Sequence, residues 1–290
     1  MEYIISLLVI ISIYVILSVS FNLIIGYAGL MSIAHPIFFA IGAYTTAILS
    51  VHYTYSPIVI IIASGAVALI MSTFLSIPSL RISGDYFLIT SIGFQLGLLE
   101  IIKNIDFLGG ASGLGNIPNI IEGSNRNIYF ATLTLCLAAC SVFFVHWLIG
   151  GPYGRAIRAM RDDELAFVTL GRDAIHLKLS IFAIGSGMAG IAGSIFAYFY
   201  QYISLDQFEL LQSTTILTMV VVGGMGSVWG PVVGAILLVL LPQAISFLHL
   251  PQNIMANLQG LIFSLLIILF LFLKPKGLIT SEMDRAHEKK

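Results

Sequence analysis

Between Glu2 and Arg81 the chain carries no Asp, Glu, Lys or Arg. Seventy-eight uncharged residues are too many for one crossing of a hydrocarbon core about 30 Å thick, so this run must double back within an apolar medium. The rest of the chain agrees. Of 290 residues, 58% are hydrophobic and 9% charged, whereas a soluble domain carries roughly 45–50% apolar and about 25% charged residues. A water-soluble enzyme, a disordered chain and a disulfide-rich secreted domain are poor fits. With 13 basic against 14 acidic residues, no excess charge is left for nucleic acid. Backbone groups at membrane depth need internal partners, and these apolar runs are continuous rather than alternating. The spans are therefore helices, not barrel strands.

Breaks at Gly26 to Gly29, His52 to Pro57 and Pro78 divide the first run into helices near 3–25, 33–51 and 57–77. Further apolar runs lie near 86–103, 128–149, 178–200, 208–223, 228–248 and 253–273. The expectation is an all-α polytopic membrane protein with about nine transmembrane helices, roughly eight to ten. The 208–223 run is short, and Gly223-Gly224-Met225-Gly226 with Pro231 suits either a tight turn or one discontinuous helix. No basic residue precedes the first run, which reads as a retained span rather than a cleaved signal peptide. One transmembrane domain over 1–275, including the loop 150–178, is followed by a tail, 276–290.

Ten of the 13 basic residues lie in two segments: Arg155, Arg158, Arg161, Arg172 and Lys178 in one loop, Lys274, Lys276, Arg285, Lys289 and Lys290 in the tail. Placing Arg or Lys at the bilayer centre costs roughly 2.5–3.5 kcal/mol, and the positive-inside rule assigns both segments to the cytoplasm. Four spans between them keep that parity. Counting back puts the N-terminus and the glycine-rich loop 104–127 outside.

The loop Pro152 to Lys178 contains a short amphipathic helix, in which Arg155, Arg158 and Glu164 accompany Ala156, Ala159, Leu165, Ala166 and Leu170, and Gly171 stands where a left-handed cap would end it. Bases that merely fix topology would explain the arginines. An apolar stripe outside the membrane calls for a partner groove or the lipid interface. A second constellation comprises Asn22, Gly26, Gly29, Ser32, His35, Pro36 and Gly42. Polar groups at bilayer depth commonly face a bundle interior or an aqueous path, so Asn22, Ser32 and His35 are candidates for lining one. The plainer reading is close packing at Gly26, Gly29 and Gly42, with His35 bonded to a carbonyl freed by Pro36.

Asp85 fits as a helix cap at one boundary, and Glu100 pairs with Lys103 at the other. Ser186, Gly190 and Ser194, flanked by Gly185, Ala189 and Gly193, form two small-residue ridges that permit close approach to neighbours or a second subunit. Cys136 and Cys140, i and i+4 in an apolar run, read as helix-packing residues with neither zinc nor disulfide spacing. The loop Gly109 to Gly115 resembles a phosphate cradle only in glycine content, and no Gly-Lys-Ser/Thr ending occurs. With no nucleotide loop, metal-ligand cluster, nucleophile elbow or paired intramembrane carboxylates, the chain has no catalytic set and no energy source of its own.

The runs NLIIGYAGLMSIAHPIFFAIGAYTTAIL (22–49), SGDYFLITSIGFQLGLLEIIKN (83–104), GGASGLGNIP (109–118), GPYGRAIRAMRDDELAFVTLG (151–171) and MVVVGGMGSVWGPVVGAILLVLLP (219–242) resemble the membrane-spanning permease of bacterial branched-chain amino acid ABC importers, of the LivM type. The resemblance extends from about residue 22 to 275, in a wider family that includes permeases for urea, short amides and sugars. It implies a multi-pass inner-membrane protein with a cytoplasmic C-terminus, paired with a LivH-like sister permease. Two cytoplasmic ATP-binding subunits would use ATP and Mg, no cofactor residing on this chain, and an extracytoplasmic protein would deliver substrate. It assigns Arg155, Arg158, Asp162, Asp163, Glu164, Ala166 and Gly171 to a coupling loop seated on the ATPase. Glu164-Leu165-Ala166 precedes Gly171 by one residue more than the general importer signature, and Ala34 and Pro36 replace the family's Gly and small residue around His35. Asn22, Ser32, His35 and Asp85 remain pathway candidates. The rival from another class is an ion- or proton-coupled secondary transporter relaying through Asp85, Glu100 or His35; an intramembrane enzyme lacks any convergent reactive set.

Overall fold

The computed structural model describes residues 2–53, 55–79, 85–119 and 126–246, together with 264, 265, 268, 272 and 277–279. Its helices are α1 (Glu2–Asn22), which runs into a π-helical turn at Leu23–Tyr27, α2 (His35–His52), α3 (Pro57–Ser79), α4 (Asp85–Lys103) and α5 (Arg126–Gly150). Two short helices follow, α6 (Pro152–Asp162) and α7 (Glu164–Thr169), and then α8 (Ala174–Tyr200), α9 (Leu210–Gly223) and α10 (Gly230–Ser246). Among the described residues the only extended pairing is one bridge between Leu114 and Ile203. Helix boundaries fall within a few residues of those read from hydrophobic runs. Five of these helices are long and apolar enough to cross a membrane. The glycines at 223–226 make a tight turn between two separate helices, and so decide against a single discontinuous one. The expected span at 253–273 and the tail lie almost wholly outside the described residues.

Prolines and caps set the ends. Pro36, Pro57 and Pro152 stand in the first turns of α2, α3 and α6, where a missing N–H costs nothing. Asp173 caps α8 by accepting the N–H of His176 at 3.0 Å.

α8 is the pillar of the bundle, buried along most of its length and packed chiefly against α2, α3 and α1. Its small residues explain how. A Cβ on Gly42 would come within 2.1 Å of the Gly190 carbonyl oxygen, and one on Gly193 within 2.1 Å of the Phe39 oxygen. The two ridges therefore serve contacts within this chain, with Ser186 and Ser194 also fully buried. α5 packs mainly on α1, through Phe130, Thr134, Ala138, Val145 and Ile149. Cys136 and Cys140 lie on its other side and are exposed, which corrects the packing role expected for them: among the described residues α5 has a neighbour on one face only.

The two ends of the bundle differ. At one, His52 meets Phe107 with ring centroids 5.2 Å apart, and the Leu114–Ile203 bridge joins the glycine-rich loop to the end of α8. At the other sit α6 and α7, the π turn, the α9–α10 turn and residues 277–279, whose Leu278 and Ile279 N–H groups bond to Val222 and Gly223.

Candidate coupling elbow and buried polar groups

α6 and α7 form an elbow at that second end. The turn into it is tight: a Cβ on Gly154 would come within 2.0 Å of the Ile149 oxygen. Asp163 then breaks the expected single helix into two. It is extended (φ −154°, ψ 100°) and its carboxylate accepts the Ala166 N–H at 2.9 Å, capping α7. The break also changes which residues face inward. Ile157, Met160 and Phe167 are buried, while Leu165 (81% exposed), Val168 and Leu170 (81%) point away from the bundle, together with Ala166. Gly171 has φ +76° and ends the elbow as expected of a left-handed cap. Asp162-Asp163-Glu164 ahead of an apolar run is an N-cap signal that could have located the break in the sequence.

Three ties hold the elbow to the spans. Arg158 donates to the Ile149 carbonyl at 3.4 Å. Arg161, absent from the residues the sequence singled out as coupling positions, donates to the Gly26 carbonyl in the π turn. Glu164 accepts from Lys178 at 2.6 Å, and the Lys178 side chain is only 11% exposed. Arg155 and Asp162 are exposed and free to face a partner.

Beside the elbow lies a groove of about 590 Å³, lined by Pro152, Tyr153, Ala156, Phe167, Arg172, Asp173, His176, Leu177 and Ser180. The Tyr153 hydroxyl bonds to Ser180 at 2.6 Å, and burial raises its pKa. The Asp173 pKa is lowered by the His176 backbone N–H, and further by the imidazole 2.6 Å away.

The polar groups of the spans divide into engaged and open ones. Asn22 is fully buried; its amide donates to the Ser227 carbonyl at 2.8 Å and accepts the Gly226 N–H at 2.9 Å, clamping α1 to the α9–α10 turn. His35 meets the Ser20 hydroxyl at 2.9 Å and stacks on Phe21, so its partner is a side chain of α1 and not a carbonyl freed by Pro36. Ser32 accepts the Ala34 N–H at 3.3 Å. With Ser76, Ser91, Phe38, Phe87, Phe94 and Phe182 it lines a cavity of about 20 Å³, room for one water. The side chain of Asp85 lies outside the described residues; Glu100 reaches Lys103 at 3.7 Å. Gln95, fully buried, donates to the Phe208 carbonyl and accepts from Ser213, both at 3.0 Å. Among the described residues, the buried side-chain atoms with no hydrogen-bond partner are Tyr44 Oη, Ser186 Oγ, Ser194 Oγ, His35 Nδ1 and Arg126 Nε.

Long apolar helices around a small-residue pillar, buried hydroxyls, and a charged elbow held outside the spans define a multi-pass membrane protein. The profile of the branched-chain amino acid transport system permease component matches residues 3–271, and the chain belongs to that family. It is 31% identical to the high-affinity branched-chain amino acid transport system permease protein LivM of Salmonella typhimurium, over 92% of this chain and 68% of that protein. It is 26% identical to the probable LivM of Methanocaldococcus jannaschii, over 92% and 90%. The LivH permease of Escherichia coli K12 is 22% identical over 92% and 91%. No solved structure matches.

Proposed function

We propose that this chain is a LivM-type permease subunit of an ATP-driven importer for leucine, isoleucine and valine, working by alternating access. The observation that carries this reading is the elbow: it is tied to the spans at three points yet turns Leu165, Val168 and Leu170 outward, an unpartnered apolar face on an otherwise charged segment. Such a face suits a groove on a separate ATPase. A sister permease of the LivH type completes the pathway, two ATP-binding subunits supply the drive, and an extracytoplasmic protein delivers substrate. The loop of five bases that contains the elbow lies in the cytoplasm together with the tail, and a count of nine spans would put the N-terminus outside. The relatives named do not favour a secondary transporter.

The test is uptake of radiolabelled leucine in cells whose ATP is maintained while the proton gradient is collapsed. Uptake persists on this reading; loss on adding an uncoupler alone refutes it. Sidedness is checked by labelling a Leu170→Cys variant that also carries Cys136→Ser and Cys140→Ser, in vesicles of known orientation, where reaction from the cytoplasmic side only is expected.

A further inference from the structure

α1 does not end as a plain α-helix. Its last turn is π-helical, and the carbonyls of Leu23, Ile24 and Ile25 are taken by the N–H groups of Ala28, Leu30 and Gly29 at 3.3, 3.1 and 3.2 Å. The next carbonyl, Gly26, receives the guanidinium of Arg161 from the elbow, 135 positions along the chain. A cation at the C-terminal end of a helix both satisfies an orphan carbonyl and opposes the negative end of the helix dipole. The contact is built on both sides. Gly29 adopts φ +69°, and a Cβ there would stand 3.1 Å from the Arg161 Cγ, so the arginine's alkyl arm lies across the returning loop.

The turn that Arg161 grips is itself clamped. Asn22, one turn earlier, holds Gly226 and Ser227 between α9 and α10, and a Cβ on Gly26 would come within 2.6 Å of the Gly226 nitrogen. The elbow's other two ties run elsewhere, Glu164 to Lys178 on α8 and Arg158 to the Ile149 carbonyl on α5. One strut thus leads to the pillar, one to α5, and that of Arg161 to the joint where α1 meets α9 and α10. π turns recur at functional sites because the extra residue loosens the local ladder.

The geometry points to Arg161 as a positioning residue for transport: it carries displacement of the elbow into the π turn of α1 and, through Asn22, into the α9–α10 turn, rather than touching the ATPase. This rests on the permease reading, with the elbow facing the ATPase. The experiment uses the complex purified from native membranes and returned to vesicles, with ATP hydrolysis and radiolabelled leucine uptake measured together. Arg161→Gln is expected to retain its ATP-binding subunits and their hydrolysis, while leucine moved per ATP falls about tenfold, the lower end of what losing a hydrogen bond to a charged group commands. Arg161→Lys keeps the charge and donors able to meet the Gly26 carbonyl but lacks the planar, pre-organised guanidinium, so it falls about threefold. Unchanged leucine per ATP in Arg161→Gln overturns the strut, as does loss of the ATP-binding subunits on purification, which would make Arg161 a docking residue. Should Arg161→Gln fail to reach the membrane, Arg161→Lys decides: a partial fall supports the strut and unchanged coupling overturns it. Wild-type uptake without ATP would bring down the permease reading and the strut together, whereas coupled transport by both wild type and Arg161→Gln removes the strut alone.

Discussion

Adding one methyl group at Gly42 tests the close approach of α2 to α8. The Cβ of a Gly42→Ala variant would fall 2.1 Å from the Gly190 oxygen, 2.5 Å from its Cα and 2.6 Å from its carbonyl carbon. All three are backbone atoms, so no side chain can rotate aside. Ordinary contact begins near 3.4 Å, and 3.4 less 2.1 leaves 1.3 Å by which α2 and α8 must part. Overpacking of this kind costs about 1–3 kcal/mol, and a rigid obstacle puts Gly42→Ala at the upper end. Replacing a helical glycine by alanine returns up to about 1 kcal/mol of propensity, leaving a net loss of about 2 kcal/mol. Gly93 on α4 is the matched control, since a Cβ there meets nothing within 4 Å; Gly93→Ala should be neutral or stabilising by up to about 1 kcal/mol. At roughly 2–4 °C per kcal/mol, thermal unfolding in detergent, followed by size-exclusion chromatography, should show Gly42→Ala about 4–8 °C below wild type and Gly93→Ala at or above it. Equal melting of the two variants would refute the claim that space between α2 and α8 decides the outcome.

Glu164→Ala strands the nearly buried Lys178 ammonium and should destabilise by about 1–2 kcal/mol, a figure reduced because Glu164 itself is 48% exposed. The exchanged pair Glu164→Lys with Lys178→Glu should recover most of that in a double-mutant cycle; losses that simply add would disprove the pairing. Asp173 has its pKa held below 3.8 by bonds from His176, so its contribution is fully present above the unfolded value and is lost as pH falls through the lowered one. Proteolysis of the joint between α7 and α8 should therefore be constant above about pH 5 and rise below it, and Asp173→Asn should abolish that acid dependence.

Much of this architecture is legible along the chain. The charge-free stretch from Glu2 to Arg81 demands several spans, Gly171 marks the end of the elbow, and the spacing of Ser186, Gly190 and Ser194 announces a helix meant for close neighbours. These are local properties: apolarity, backbone freedom and side-chain size act within a few turns, where sequence distance and spatial distance agree. The partners of polar groups are another matter. That Asn22 grips Gly226 and Ser227, that His35 turns to Ser20, and that Arg161 caps α1 at Gly26 depend on contacts spanning up to 205 positions. Hydrogen bonds are decided at about 3 Å, and only the folded bundle brings those residues that near. The break at Asp163 is of the other kind: its carboxylate reaches the Ala166 N–H three residues on, a local cap that the run Asp162-Asp163-Glu164 signals, and the outward turn of Leu165 and Leu170 follows from it.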